Sequence, residues 1–353
     1  MAGAAEMDAM RRAIDASRQV LGTTSPNPPV GAVVVARDGS VAGVGATQPA
    51  GGSHAEVIAL EAAGPAARGG TVVATLEPCA HTGRTGPCVE AIVASGAARV
   101  VFALADPHDL AAGGAAALRA AGVDVESGLL ADEVAHGPLE AWLTYVRLGR
   151  PFVTWKYAAS LDGRVAAPDG SSRWVSGAES RADAHRLRAE CDAVAVGIGT
   201  VLADDPRLTV RDAADSPAAR QPLRVVLDTS GRTPTDAAVL DESAPTLVLT
   251  GADLPVVDGR LDPDAVLGVL HDRGVVHLLL EGGPTVAMSF LRAELVDRIV
   301  AYVAPILIGG GGLAALGGEG APSIDKAWRF RIDDVSQLGP DLRVIARPTA
   351  MAG

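Results

Sequence analysis

The chain has 353 residues, of which 48% are hydrophobic and 20% charged, so we expect two folded domains and no global disorder. A net charge of −12 and an aromatic content of 3% disfavour nucleic-acid binding through phosphates or stacked bases, although a few local arginines can hold one phosphate. We expect no membrane span, since apolar stretches end well before the roughly 18 residues required. The amphipathic start does not resemble a signal peptide, and three cysteines without an export signal favour the cytoplasm.

The first half of the chain alternates predicted strands and helices. The predicted strands are 31–36, 41–45, 71–76, 100–105 and 123–125, and the first two form a hairpin around Asp38-Gly39. After an amphipathic first helix, the predicted helices are 55–63, 89–95, 115–121 and 131–148. This pattern predicts an α/β sandwich of about five strands, with a domain boundary near Pro151.

The second half begins a new α/β pattern. Its predicted strands are 152–158, 193–197, 223–228, 246–250, 275–281 and 298–304, and a helix is predicted at 178–189. Continuous apolar runs of this kind suit a sheet that is covered on both faces. The sequence therefore predicts two domains, residues 1–148 and residues 151–349.

Ligand-type side chains occur in three short segments of the first half. His54 stands two residues before Glu56, and Cys79 and Cys88 each follow a proline, with eight residues between them. One imidazole and two thiolates suit Zn²⁺ and leave a fourth position for water, whose pKa bound zinc lowers to about 7. Glu56 can then move protons from that water to the ring nitrogen and the leaving ammonia, as in zinc deaminases. The segments predict a catalytic zinc site at the N-terminal ends of helices, where thiolates are favoured.

Each of these residues also has an ordinary interpretation. Ser53 and Glu56 match a capping box at the start of the predicted helix 55–63. Either cysteine can be a small buried hydrophobe. His81 is close enough in sequence to complete a closed structural zinc site. The occurrence of all four residues in this order favours the catalytic interpretation.

Two glycine-containing segments of the second half are candidates for a dinucleotide site. Gly197–Leu202 begins like a dinucleotide fingerprint but lacks its third glycine. Residues 281–285 follow a buried strand and open a helix whose first amides can hold a pyrophosphate, although an ordinary tight turn explains them equally well. The residues assigned to the cofactor in this second segment are Gly283, Pro284, Thr285, Val286, Ala287, Met288 and Ser289.

Arginine side chains are the candidates for a substrate phosphate. Arg188, Arg207 and Arg211 can each present a fork that matches phosphate oxygens. Each is alternatively a solvated surface charge. Cys191 has no assigned role.

Longer segments of the chain resemble the bifunctional deaminase/reductase family of riboflavin biosynthesis. These segments are residues 24–33, 54–56, 75–88, 156–164, 172–174, 200–211 and 281–285, and they span nearly the whole chain. The resemblance implies a cytidine-deaminase-like α/β/α sandwich followed by a dihydrofolate-reductase-like α/β domain. It also implies two enzymatic activities, with Zn²⁺ and NADPH as cofactors.

The family's reactions define the substrates that we expect. The first is hydrolytic deamination of 2,5-diamino-6-(5-phosphoribosylamino)pyrimidin-4(3H)-one. The second is NADPH-dependent reduction of the ribosyl group of 5-amino-6-(5-phosphoribosylamino)uracil to ribityl. We expect a cytoplasmic homo-oligomer, a dimer or a tetramer, that acts on these small molecules.

The resemblance assigns roles residue by residue. In the first domain, Asn27 and His81 line the pyrimidine pocket, His54, Cys79 and Cys88 bind zinc, and Glu56 is the general acid/base. The cofactor contacts of the second domain are Ala159, Trp174, Thr200, Asp204 and Thr229. Its substrate contacts are Ser172 and Glu281.

Two further residues of the second domain have looser assignments. Lys156 assists ring opening or hydride acceptance if it lies near the sugar carbonyl, and is otherwise a lysine at a sheet edge. Arg232 is a candidate for neutralising the 2′-phosphate of NADPH.

The chain departs from the family pattern at two points near the zinc site. Ala80 and Thr82 stand on either side of His81 where serine and histidine are usual. His108 follows Asp106-Pro107 where asparagine is common, and is either a ribose-phosphate contact or a loop residue.

Three rival functions stay open on sequence alone. They are a nucleic-acid-editing deaminase, a non-catalytic zinc-stabilised interaction protein, and a deaminase whose second domain has lost reductase activity.

Overall fold

The computed structural model describes residues 3–81, 86–108, 113–212, 216–281 and 283–349. Thr82, the rest of 82–85 and Gly282, which belong to the family-like segments, lie outside the described residues. The chain divides into two compact units, Met1–Arg150 and Pro151–Gly353. None of the helices in the described ranges has the length and apolarity needed to cross a membrane.

A five-stranded mixed sheet forms the centre of the first unit. Its strands are β1 (Gly31–Val35), β2 (Val41–Ala46), β3 (Thr71–Leu76), β4 (Arg99–Leu104) and β5 (Asp124–Ser127), in the order β2-β1-β3-β4-β5. β1 is antiparallel to β2 and β3, whereas β3, β4 and β5 are parallel. The helices are α1 (Ala4–Gln19), α2 (Ala55–Ala63), α3 (Cys88–Ser95), α4 (Gly114–Ala120), α5 (Ala131–Ala135) and α6 (Glu140–Leu148), with a 3-10 turn at Gly64–Ala67.

Helices α1 and α2 cover opposite faces of this sheet. A Cβ atom on Gly31 would lie 1.9 Å from the carbonyl oxygen of Ala13 in α1, and one on Gly45 would lie 2.2 Å from the carbonyl oxygen of Ala55 in α2. Gly45 pairs with Ala32, the neighbour of Gly31, so the two glycines point to opposite faces. The predicted α/β/α sandwich is confirmed, and glycine at these positions allows the close approach of both helices.

One predicted helix of the first unit is wrong. The periodicity predicts a single helix over 131–148, but α5 ends at Ala135 and α6 begins at Glu140. Gly137 and Pro138 lie between them. Proline inside a helix has no amide hydrogen to donate and clashes with the preceding turn, so the helix breaks there.

The second unit contains an eight-stranded sheet and two small two-stranded sheets. Its strands are β6 (Phe152–Ser160), β7 (Arg164–Ala166), β8 (Ala193–Gly197), β9 (Leu223–Leu227), β10 (Thr246–Leu249), β11 (Val256–Val257), β12 (Arg260–Leu261), β13 (His277–Leu280), β14 (Arg298–Ala304), β15 (Leu313–Ala314), β16 (Phe330–Leu338) and β17 (Asp341–Pro348). The helices are α7 (Ala178–Ala189), α8 (Ile198–Asp204), α9 (Pro263–His271) and α10 (Pro284–Arg292), with 3-10 turns at Ala238–Leu240 and Ile324–Lys326.

Six neighbouring strands of the large sheet are parallel. The strand order is β10-β9-β8-β13-β6-β14-β17-β16, and only β17 and β16 join in antiparallel fashion. Alternate residues of the central strands enter two core clusters: Val225 and Leu278 belong to one, Val226 and Leu279 to the other. The prediction of a sheet that is covered on both faces is therefore confirmed.

The C-terminal hairpin of β16 and β17 has no counterpart among the predicted strands. β16 is an edge strand whose residues are mostly exposed, so it carries no buried apolar run. The turn residues Gly339 and Pro340 between the two strands were the available signal.

A half-buried histidine, His277, joins β13 to its neighbours. The Nε2 atom of His277 lies 2.9 Å from Oγ1 of Thr154, and its Nδ1 lies 3.5 Å from Sγ of Cys191. Burial, and secondly the nearby charge of Arg298, lowers the pKa of His277 to about 3. The imidazole is therefore mostly neutral in the folded protein at pH values well above 3.

This lowered pKa predicts a pH-dependent stability. The unfolded chain takes up a proton at His277 near pH 6.5, whereas the folded chain does not do so until about pH 3. The free energy of unfolding should therefore fall as the pH falls through this window, with His277 contributing up to about 1.4 kcal/mol per pH unit. Urea unfolding between pH 7 and pH 4 should show a shallower slope for His277→Gln than for the wild type. The surface variant His271→Gln is the control, and equal slopes in both variants would contradict the assignment.

Candidate active sites

His54, Cys79 and Cys88 come together in the first unit. The Nδ1 atom of His54 lies 3.2 Å from Sγ of Cys88 and 3.5 Å from Sγ of Cys79. The three ligand atoms all lie within 4.8 Å of one another. A tetrahedral zinc ion, with Zn–S bonds of about 2.3 Å and Zn–N bonds of about 2.0 Å, requires its nitrogen and sulfur ligands to be about 3.5 Å apart. The donor set therefore fits a zinc ion.

Two helix starts and the end of one strand position these ligands. His54 is the N-cap of α2, and Cys88 is the first residue of α3. The backbone amide of Cys88 donates a hydrogen bond to Sγ of Cys79, at 3.4 Å. A side-chain hydrogen bond from Cys88 also lowers the pKa of the Cys79 thiol, although burial opposes this shift. The site thus favours a thiolate at Cys79, as a zinc ligand requires.

The structure corrects two expectations about helix ends. α2 begins at Ala55, one residue later than a capping box from Ser53 to Glu56 requires, and no side chain caps it. Cys79 lies in the irregular segment after β3 and not at a helix start. His81 is outside the ligand group that the described residues form, which leaves it as a residue of the surrounding cavity.

Glu56 lies beside the ligand group and does not belong to it. The residue is 4% exposed. Burial raises the pKa of its carboxyl group to about 7, against the opposing effect of a backbone hydrogen bond. A carboxyl group in this environment can both accept and release a proton near neutral pH.

The ligands open into a cavity of about 570 Å³. Asn27, His54, Glu56, Cys79 and His81 line it together. His108, at the departure from the family pattern, also lines this cavity. The sequence analysis did not single out three further lining residues of α6, which are Trp142, Tyr145 and Val146.

Glu77 and Gly114 hold the segment that carries Cys79, and the sequence analysis missed both. The buried carboxylate of Glu77 accepts hydrogen bonds from the amides of Ala115, at 2.8 Å, and of Asp106, at 3.3 Å. A Cβ atom on Gly114 would lie 1.7 Å from the carbonyl oxygen of Pro78. The start of α4 therefore packs directly on the residue that precedes the zinc ligand. In the sequence, the position of Glu77 directly before Pro78-Cys79 was the signal that could have indicated its role.

The second unit contains a cavity of about 1520 Å³. It lies at the carboxyl ends of β8 and β13, where ligands bind in parallel sheets. Thirteen of the predicted residues line it, namely Lys156, Ser172, Trp174, Arg188, Thr200, Asp204, Arg207, Arg211, Glu281, Gly283, Pro284, Thr285 and Val286. The hydroxyl of Ser172 donates a hydrogen bond to Asp204 at 3.3 Å, which joins two of them.

Five residues assigned to the cofactor do not line this cavity. Ala159, Ala287 and Met288 are at most 3% exposed, and Thr229 and Ser289 also lie outside the lining. Ala287 packs in the hydrophobic core, and only the residues at the start of α10 line the cavity. Of the run from Gly283 to Ser289, the first four residues line the cavity.

A charged cluster occupies part of the cavity wall. Glu281, whose side chain is 7% exposed, accepts two hydrogen bonds from Arg188, at 2.5 and 2.9 Å. The Nζ atom of Lys156 lies 3.5 Å from Glu281 Oε2. Burial raises the pKa of Glu281, but the charges of Arg188 and Lys156 outweigh it and lower the pKa to about 2. The fork of Arg188 binds a carboxylate of the protein in this structure, and Arg188 also lines the cavity.

The helix start at Gly283 fits a dinucleotide. Gly283 is the N-cap of the nine-residue helix α10 and has no side-chain cap. Its amide donates a hydrogen bond to Oγ1 of Thr200 at 3.2 Å. A Cβ atom on Gly199 would meet nothing within 4 Å, so the backbone there is open to a ligand. The positive end of α10 and this open backbone suit the pyrophosphate of a nicotinamide cofactor.

Family models match both halves of the chain. Residues 5–104 match the cytidine and deoxycytidylate deaminase zinc-binding region. Residues 151–344 match the RibD C-terminal domain, an NADPH-dependent reductase domain. Each match lies within the unit that contains the corresponding candidate site.

Relatives and solved structures are similar over nearly the full length. The riboflavin biosynthesis protein RibD of Mycobacterium tuberculosis (strain H37Rv) is 51% identical over 335 residues, which is 95% of this chain and 95% of the relative. The structure of Acinetobacter baumannii RibD is 37% identical, with a TM-score of 0.87, and covers 98% of this chain and 99% of its own.

A third similar protein adds a description of both activities. The Thermotoga maritima structure described as a diaminohydroxyphosphoribosylaminopyrimidine deaminase/5-amino-6-(5-phosphoribosylamino)uracil reductase is 33% identical, with a TM-score of 0.87 and the same coverage of 98% and 99%. The deaminase zinc site, the reductase domain and the full-length similarity agree. The chain belongs to the RibD family, the bifunctional deaminase and reductase enzymes of riboflavin biosynthesis.

Proposed function

We propose that residues 1–148 deaminate 2,5-diamino-6-(5-phosphoribosylamino)pyrimidin-4(3H)-one by hydrolysis. We propose that residues 151–349 then reduce the ribosyl group of 5-amino-6-(5-phosphoribosylamino)uracil to ribityl with NADPH. The description of the Thermotoga maritima relative supports these substrates. The observation that carries the proposal is the meeting of three zinc ligand atoms within 4.8 Å, in a cavity that Glu56 also lines.

In the deaminase reaction, the protein groups hold the substrate and move protons. His54, Cys79 and Cys88 hold zinc, which when bound lowers the pKa of a coordinated water to about 7. The buried carboxyl of Glu56 takes a proton from the water that attacks the ring carbon and gives it to the ring nitrogen. It then takes the remaining proton of the new hydroxyl group and gives it to the amino group, which leaves as ammonia when the C–N bond breaks. Asn27 and His81 line the same cavity, so their side chains are placed to bind the pyrimidine.

In the reductase reaction, the charged cluster binds the open sugar. NADPH would supply the hydride, and the start of α10 with the backbone at Gly199 and Thr200 would hold its pyrophosphate. The ammonium group of Lys156, held near Glu281, donates a hydrogen bond to the sugar oxygen that receives the proton. Ser172 and Glu281 bind the sugar, and Arg207 and Arg211, which line the cavity, bind its phosphate. Trp174, Asp204 and Thr229 contact the cofactor.

We further propose a homo-oligomer that works in the cytoplasm. The C-terminal hairpin exposes Ile332, Val335 and Leu342, and clustered exposed apolar residues are typical of protein interfaces. All three cysteines are free thiols, and two of them are needed as zinc ligands, which suits a reducing compartment.

Glu56→Gln should abolish deamination and leave the zinc in place. Loss of the proton-transferring carboxyl should lower kcat for ammonia release by at least about 100-fold. Zinc content, and reduction of supplied 5-amino-6-(5-phosphoribosylamino)uracil, should stay at wild-type levels. Glu61→Gln alters an exposed carboxyl on the same helix and is the matched control. Loss of both activities in a folded variant would show that the two sites are not separate.

Gly114→Ala should weaken zinc binding although Gly114 touches no ligand side chain. The added methyl group cannot fit 1.7 Å from the carbonyl oxygen of Pro78, so the Cys79 segment must shift. Changes in groups that support metal ligands typically cost about 10- to 100-fold in affinity. Competition with a chromophoric zinc chelator measures the loss. Gly268→Ala, whose Cβ would meet nothing within 4 Å, is the control. Unchanged zinc affinity in Gly114→Ala would contradict the positioning role of α4.

Lys156→Met should impair reduction with little effect on cofactor binding. Removal of the ammonium group should lower kcat for NADPH oxidation by about 100-fold, as expected for a proton-donating group. The Kd for NADPH, measured by fluorescence, and the rate of ammonia release should stay close to wild type. Lys326→Met, at an exposed lysine, provides the comparison. Unchanged kcat would remove Lys156 from the reaction.

A further inference from the structure

Lys156 and Tyr157 are adjacent residues of β6 and therefore point to opposite faces of the large sheet. The Nζ atom of Lys156 lies 3.5 Å from Glu281, in the charged cluster. Tyr157 packs on the other face, against the core cluster that contains Ala287 and Phe290 of α10. Both residues line the cavity at the carboxyl ends of the strands, so β6 contributes a polar group to it from each face.

The hydroxyl of Tyr157 has no hydrogen-bond partner among the residues that the structure describes. Its ring is half-buried and stacks on the ring of Trp155, with the centroids 4.6 Å apart. Burial alone raises the pKa of this phenol. Tyr302 also lines the cavity, but its hydroxyl donates to Oδ2 of Asp183 at 2.7 Å. Buried tyrosine hydroxyls usually find a partner, so the fixed ring of Tyr157 carries a hydroxyl that is available to a ligand.

Helix α10 covers the face of the sheet on which Tyr157 lies. Val286, in the first turn of α10, packs against the same core cluster as Tyr157 and also lines the cavity. The Gly317 amide donates a hydrogen bond to the Pro284 carbonyl at 3.1 Å, which holds the loop after β15 against the helix start. This side of the cavity therefore combines the phenol with a helix start that suits a pyrophosphate.

The two faces of β6 constrain where a coenzyme can lie. The start of α10 would hold its pyrophosphate, whereas hydride transfer requires its nicotinamide ring to come within about 3.5 Å of the sugar carbon beside Lys156. The nicotinamide nucleoside connects these two groups, so it would pass the end of β6. Tyr157 is the residue next to Lys156 that faces α10.

We propose that Tyr157 binds the nicotinamide nucleoside of NADPH through its hydroxyl. The nucleoside carries a carboxamide and ribose hydroxyls, and a phenol can donate a hydrogen bond to these groups or accept one from them. Stacking on Trp155 holds the phenol in place before the coenzyme arrives. The inference rests on the proposed reductase function and adds a coenzyme contact to it.

Binding measurements on the full-length, zinc-loaded chain test this assignment with NADPH, reduced nicotinamide mononucleotide and 2′,5′-ADP. Tyr157→Phe keeps the stacked ring and removes only the hydroxyl. It should raise the Kd for NADPH and for reduced nicotinamide mononucleotide about threefold to tenfold, which corresponds to one neutral hydrogen bond. The Kd for 2′,5′-ADP, which lacks the nicotinamide nucleoside, should change less than about twofold.

Thermal unfolding separates this role from a structural one. Without coenzyme, the Tm of Tyr157→Phe should equal that of the wild type, because the hydroxyl has no partner within the described ranges. At one fixed concentration of NADPH, the rise in Tm should be smaller for the variant than for the wild type. Tyr145→Phe removes a phenol hydroxyl from α6 of the first unit and is the matched control, for which all three Kd values should stay unchanged.

Two results would overturn the proposal. One is an unchanged affinity of Tyr157→Phe for NADPH and reduced nicotinamide mononucleotide, and the other is a loss of 2′,5′-ADP affinity as large as that of the mononucleotide. A lower Tm without coenzyme, together with unchanged Kd values, would assign the hydroxyl to the fold instead. If the wild type itself does not bind NADPH, the reductase function fails together with this assignment. If the wild type and Tyr157→Phe bind NADPH equally well, only the role of Tyr157 is refuted.

Discussion

The contact between the start of α4 and the Pro78 carbonyl is the constraint on which the deaminase site depends. Zinc needs one imidazole and two sulfurs at fixed separations, and only Cys79 of the three lies on an irregular segment. That segment has no regular secondary structure, so contacts with neighbouring elements hold it, such as the hydrogen bond from the Val89 amide to the Cys79 carbonyl at 3.3 Å. Glu77 ties the segment to the amide of Ala115, and the absence of a side chain at Gly114 lets α4 approach. The motif residues supply the ligand atoms, whereas a tertiary contact sets their geometry.

In the second unit, charged side chains rather than close packing define the candidate site. Its cavity lies at the ends of parallel strands, where the start of α10 and the open backbone at Gly199 suit an anionic ligand. Lys156 and Arg188 add positive charge to this wall, and Glu281 lies between them. Burying one carboxylate with two cations leaves a net positive wall without leaving any of the three groups unpaired. Such a wall favours a phosphorylated sugar and a dinucleotide over neutral molecules.

Much of the fold and of the zinc site could be predicted because local patterns encode them. Apolar runs in the sequence predict strands such as β8 and β13. Short motifs predict the zinc site, since they contain His54, Glu56, Cys79 and Cys88 in that order. The support from Gly114 and the pairing of Arg188 with Glu281 could not be predicted, because they join residues that are far apart in the chain. Pro138 marks the break between α5 and α6, although helical periodicity continues on both sides of it.

Glu56 and Glu281 show how one residue type serves two chemistries in one chain. Both side chains are buried, and burial alone raises the pKa of a carboxyl group. At Glu56 burial dominates and the pKa rises to about 7, which suits a group that must take up and release protons. At Glu281 the charges of Arg188 and Lys156 outweigh burial, and the pKa falls to about 2. Glu281 is therefore an anion throughout the working pH range, so it can accept hydrogen bonds from sugar hydroxyls but cannot donate the proton that follows hydride transfer. In the proposed reaction, that division of roles leaves Lys156 as the proton donor on this wall. Environment rather than residue type then separates the acid–base chemistry of the two domains.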